Sequence, residues 1–193
     1  MDELGLSTTL SAAGLTHLGP ADPTAPLVPP GVAGFISMCD AEDLVFFDGV
    51  DREDPQLAAK LNEMWQRATE AIGLAADAPL LLAVKLPPQA ETRQQWGWVR
   101  VMRTERFDPA SGTPGVLGHG AGHPSFVMLT DDGKAILQMT YGEVSGECNV
   151  ARDPERIQVL RDHAARMLGW DRRRLDQHTR SAVERWLAAH PLP

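Results

Sequence analysis

The sequence predicts an α+β domain: a mostly antiparallel, mixed sheet of about five to six strands covered by about three helices. Three observations carry this. Short apolar runs of strand length occur at 79-PLLLAVKL-86, 96-WGWVRVM-102, 125-SFVMLT-130 and 134-KAILQMTY-141. The last two flank 131-DDG-133, a hairpin signal because Asp and Gly tolerate the positive φ of tight turns. Apolar residues also recur at three- and four-residue spacing over 57–72 and 157–168, as one face of a helix requires.

Taken in order, residues 1–30 hold Pro20, Pro23, Pro26, Pro29 and Pro30 together with Gly14 and Gly19. Repeated loss of backbone donors there predicts a Pro-rich flexible arm that adds little stability, with 26-PLVPP-30 extended along the surface on Leu27 and Val28. Residues 31–193 are then a single α+β domain. Its first apolar runs, 32-VAGFISM-38 and 44-LVFF-47, predict a β-hairpin around the polar 39–43 segment. Asp54-Pro55 opens a helix whose stripe is Leu57, Leu61, Met64, Ala68 and Ile72, ending at Gly73. The strand 79–86 closes at Pro87-Pro88, and a polar loop leads to 96–102. Asp153-Pro154 starts a second helix with Ile157, Leu160, Ala164 and Met167 inward and Gly169 as its stop. Asp171 caps a last helix that buries Leu175, Ala182, Val183, Trp186 and Leu187.

The 193 residues carry a net charge of −8. Residues 1–74 hold 12 acidic and 3 basic side chains, whereas residues 151–193 hold 6 acidic and 9 basic. An acidic front and a mildly basic end suit self-association or a protein partner, and oppose nucleic-acid binding, which needs a concentrated basic face. Arg172, Arg173 and Arg174, in the first turn of the last helix, oppose its dipole; they read as a solvated run or as a contact for an acidic patch. No apolar run approaches the roughly 18 residues of a membrane span, and the acidic start lacks the basic residues of a signal peptide, so a cytoplasmic location is expected. Cys39 and Cys148 stand alone and read as reduced, buried thiols. No metal site and no cofactor are expected.

Candidate chemistry gathers in 115-GVLGHGAGHPSF-126. His119 and His123 have the spacing of a helical zinc pair, but Gly118, Gly120, Gly122 and Pro124 preclude the helix, and a phosphate loop would need a helix after it. A direct role as ligand-binding group or general acid/base stands beside a plain surface turn. Pro124 restrains His123, so His123 is the better catalytic candidate, with Glu143 or Glu147 as acid/base partner. Trp96 and Trp98 share one strand face, suited to a flat ligand or simply to filling the core. Gln138 alternates with Leu137 and Met139 and is a specificity group if a pocket lies above it, or part of an exposed face if not. His163, His178 and His190 read as structural.

The residues Ala121, Gly122, His123, Pro124, Phe126 and Leu129, then Asp153, Pro154 and Glu155, give residues 119–168 a partial resemblance to the effector-type domain of actinobacterial helix-turn-helix, antitoxin-like transcriptional regulators. No helix-turn-helix precedes the segment, so the resemblance implies a stand-alone sensor-like domain. Two functional expectations follow, beside a structural one in which the Pro-rich arm is a tether that docks the domain on a larger assembly. One is a small-molecule-binding or regulatory domain with a pocket bounded by Trp96, Trp98, the 118–124 loop and Gln138. The other is a cofactor-independent enzyme of specialised metabolism, of cyclase or isomerase type, using His123 with Glu143 or Glu147.

Overall fold

A computed structural model describes residues 3–86, 95–171 and 175–191. In chain order the elements are α1 (Glu3–Ala12), β1 (Leu15–Pro20), α2 (Pro30–Ala33), β2 (Phe46–Asp51), α3 (Leu57–Ala71), β3 (Leu80–Leu86), β4 (Gln95–Arg103), β5 (Phe126–Thr130), β6 (Ala135–Tyr141), β7 (Ser145–Arg152), α4 (Gln158–Leu168) and α5 (Gln177–Ala189). The strands form one seven-stranded sheet in the order β1-β4-β3-β5-β6-β7-β2, with every pair antiparallel. The α+β expectation holds; the sheet has more strands and more helices than expected, and none of its pairs is parallel.

Helices cover both faces, which explains why 80–84 is apolar throughout instead of alternating. Leu80, Leu82 and Val84 face a core built with Leu10 of α1 and with Leu61, Met64, Trp65 and Ala68 of α3. Leu81 faces the opposite core, built from Val32 and Ala33 of α2, Ile36, Leu160 and Ala164 of α4, and Val183 and Trp186 of α5. Along β6 the same two-residue period sends Leu137 and Met139 to the α3 side, and Ile136 with Gln138 to the other.

The first 20 residues depart from the expected arm. The prolines begin only at Pro20, which leaves room for α1 and for β1 as an edge strand, where a missing donor is tolerated. Leu10 and Leu15 are buried in the core. Between them Gly14, at φ 73°, meets the 106–107 backbone so closely that a Cβ would lie 2.5 Å from it, and its carbonyl accepts from the Thr104 amide (2.9 Å) and hydroxyl (2.8 Å). The longest stretch of the expected arm without helix or strand is 21–29, and within it Val28 and Pro29 are buried.

The hairpin expected over 32–47 is replaced by α2 and a 3-10 turn over Gly34–Met38. Pro30 pre-sets a helical φ at the first position, and Val32, Ala33 and Ile36 point one way at helical spacing. The edge strand β2 starts only at Phe46. Asp54 caps the turn before α3, accepting from the Gln56 amide at 2.7 Å, while the helix itself starts at Leu57. The cap of α5 is Asp176 and not Asp171: Asp176 accepts from the Thr179 amide at 2.9 Å and hydroxyl at 2.7 Å. The 131–133 hairpin is as expected, with Gly133 at φ 76° and the Thr130 hydroxyl accepting from the Lys134 (3.1 Å) and Ala135 (2.9 Å) amides. Both cysteines are free thiols; burial pushes Cys148 up to about 12 and Cys39, with help from Asp43 and Asp40, up to about 11. The 87–94 loop and Arg172, Arg173 and Arg174 lie outside the described residues.

Candidate functional site

The β3–β5 ladder pairs at Leu80/Thr130, Leu81/Leu129 and Leu82/Met128 and stops, although β3 continues to Leu86 and β5 begins at Phe126. Beyond the last pair a cleft of about 530 Å³ opens, well within the size range of small-molecule sites. Ala83, Lys85 and Trp96 line it from β3 and β4, and Val127, Gln138 and Thr140 from β5 and β6. Gly31 and Gly34 of the α2 segment, Val116, Gly118 and His119 of the glycine loop, and Phe126 and Met139 contribute further walls.

That loop is more than a turn. Gly120 N donates to Gly112 O (2.8 Å), Gly122 N to Ala110 O (2.8 Å), His119 N to His123 O (3.1 Å) and Ser125 N to Leu117 O (2.8 Å). Leu117 is fully buried and Val116 nearly so, anchoring the loop in the α3-side core. At Gly118 a Cβ would sit 2.2 Å from the His123 carbonyl, so the loop closes on itself only because that position has no side chain.

Gln138 is 5 % exposed. Its Nε2 donates to the Gly34 carbonyl at 2.8 Å, joining β6 to the 3-10 turn, which fixes which end of the amide is which. The Oε1 is buried without a hydrogen-bond partner, as is Nδ2 of its cross-strand neighbour Asn149. Lys85 places its ammonium 5.6 Å from the centre of the Trp96 ring, and Trp96 is 46 % exposed.

Trp96, His119 and Gln138 are thus brought together. The other candidates are not. Trp98 shares the strand face of Trp96, but its indole donates to Val28 O at 2.8 Å and pins the Pro-rich segment; it does not line the cleft but an adjoining groove of about 260 Å³ against α5, which Trp96 also borders. His123 is exposed outside the cleft, its ring 4.2 Å from that of Tyr141. Glu143 is exposed in the β6–β7 turn, where its main-chain carbonyl accepts from Arg52 at 3.3 Å. Glu147 accepts from the Ser145 hydroxyl at 2.8 Å. Among the described residues no hydrogen bond joins His123 to either glutamate, and no three His, Cys, Asp or Glu side chains converge as a metal site would need. Sequence reasoning passed over Lys85, although a lysine inside the apolar run 79-PLLLAVKL-86 was a legible signal.

No family model matches the chain, and no curated protein or solved structure matches it either. Among the described residues no helix is long and apolar enough to cross a membrane.

Proposed function

We propose that this chain is a small-molecule-binding, sensor-like regulatory domain of the cytoplasm whose ligand occupies the cleft between β3 and β5. The observation that carries the reading is the interrupted ladder: a sheet otherwise paired strand by strand opens at one place, and a buried, half-satisfied amide stands in the opening. A buried amide oxygen without a donor costs stability, and a bound donor removes that cost. The resemblance of residues 119–168 to a regulator's effector-type domain adds to the reading.

Gly34 offers a clean test. It lies at φ −64° and ψ −11°, where any residue is relaxed, and a Cβ there meets only Val127 at 3.9 Å. Gly34→Leu fills the cleft without backbone strain. In a thermal-shift screen of a diverse metabolite library, compounds that raise the melting temperature of the natural chain are expected to leave Gly34→Leu unmoved. Equal shifts in both proteins would place binding elsewhere and sink the reading.

A further inference from the structure

We propose that the cleft selects an organic anion: a molecule with an apolar body that bears one N–H or O–H donor, ending in a carboxylate. This rests on the cleft being the ligand site and adds the chemical class. The argument begins with charge. The chain as a whole is acidic at −8, and only three of its residues are lysines. Lys60 is paired with Asp54, and Lys134 with Glu155. Lys85 is paired with no carboxylate among the described residues and lies on the wall of the cleft against Trp96. Among the described residues that line the cleft there is neither Asp nor Glu. His119, in the glycine-loop wall of the same cleft, adds a ring that can donate a hydrogen bond. In an acidic protein, a cavity whose described lining carries one lysine and no carboxylate attracts anions at short range, while a cationic ligand finds no counter-charge among those residues.

The second half of the argument is polarity with depth. Lys85 and Trp96 are exposed, so the charge belongs at the mouth, whereas Ala83, Val116, Phe126 and Met139 are buried and offer an apolar lining. Within that lining Gln138 has committed its amide N–H to Gly34, which leaves only an acceptor for the ligand. Gln138 sits two strands from β3, so strand spacing sets it about 10 Å or more from Lys85 across the cleft. A ligand that uses both groups therefore carries its donor and its carboxylate at opposite ends.

Indole-3-butyrate has this layout and serves as the probe, with its methyl ester lacking the charge and 1-methylindole-3-butyrate lacking the donor. Isothermal titration calorimetry on the full chain is expected to show the acid binding about three- to tenfold more tightly than the ester, a margin that narrows in 0.5 M salt as exposed charges are screened. Lys85→Met is expected to erase the acid's advantage while leaving the ester's affinity unchanged. Gln138→Leu is expected to erase the preference for the N–H over the N-methyl compound and to keep the preference for acid over ester. If acid and ester bind equally, and Gly34→Leu blocks both, the cleft is a ligand site but the anion class is wrong. If none of the three compounds binds at millimolar concentration, or Gly34→Leu binds them as well as the natural chain does, both the anion class and the cleft reading fall.

Discussion

Replacing Gln138 with leucine is expected to make the protein more stable. Two opposed effects set the magnitude. The substitution removes the 2.8 Å hydrogen bond from Nε2 to the Gly34 carbonyl, a loss of about 1 kcal/mol. It also removes the buried Oε1, which has no partner; leaving such an acceptor dry costs about 1–3 kcal/mol, and that penalty disappears with the amide. Leucine has a similar volume and would pack beside Val127, its neighbour across the ladder. The balance is a gain of about 1 kcal/mol, or a rise of roughly 2–4 °C in melting temperature for a chain of this size. Urea unfolding followed by tryptophan fluorescence measures it, with the slope checked for constancy so that only the midpoint moves. A loss of more than 1 kcal/mol would refute the reasoning, since it would mean that the amide is fully satisfied and held for architecture. A gain in stability combined with loss of donor discrimination is the signature of a residue retained for binding.

Three further outcomes are expected. Leu15→Ala should cost about 2–5 kcal/mol in chemical denaturation, because Leu15 is 1 % exposed in the sheet core; a cost under 1 kcal/mol would restore the view of the first 20 residues as a dispensable arm. Arg161, buried on α4, donates to the Glu155 carbonyl at 3.0 Å and the His190 carbonyl at 2.7 Å, so Arg161→Met should cost roughly 2–3 kcal/mol, and a neutral result would show that those carbonyls are content without it. Burial, then the neighbouring Arg166 guanidinium, lowers the pKa of His163, which is stacked on Phe35 at 3.9 Å. The unfolded chain therefore takes up this proton first as pH falls below about 6.5, so stability is full above that value and declines below it until the folded imidazole also protonates. His163→Phe should flatten the fall in stability between pH 7.5 and 5.5, and identical slopes in the two proteins would dismiss His163 as its source.

The parts of the fold legible in the sequence were those where one local signal dominates. The 131-DDG-133 turn, the apolar β3 run and the helical stripes of α3 and α4 each depend on residues within a few positions of one another. The parts that escaped depend on distant partners. β7 reads 145-SGECNVAR-152, poor in strand formers, and becomes a strand because β6 and β2 flank it on both sides. The proline count over 1–30 masked α1 and β1, which end where the prolines begin. In the candidate site, the two-residue period correctly put Trp96 with Trp98 and separated Gln138 from its neighbours. It could not show that the Pro-rich segment covers Trp98 while leaving Trp96 open. The preference for His123 over His119 rested on local stiffness from Pro124. Closure of the glycine loop instead sets His119 in the cleft wall and His123 against Tyr141.

The short ladder between β3 and β5 divides the sheet into two ribbons, β1-β4-β3 and β5-β6-β7-β2, stitched at one end by three residue pairs. Arg100 reinforces the stitch, reaching over β3 to grip Asp131 with two hydrogen bonds of 2.7 and 2.6 Å. Such a seam has the geometry of a fulcrum. At the cleft end no main-chain ladder joins the ribbons, so on the proposed reading a molecule lodged there would be a splint between the two. Occupancy would then be felt as a change in the twist of the whole sheet, and so at the outer edges β1 and β2, far from the point of contact.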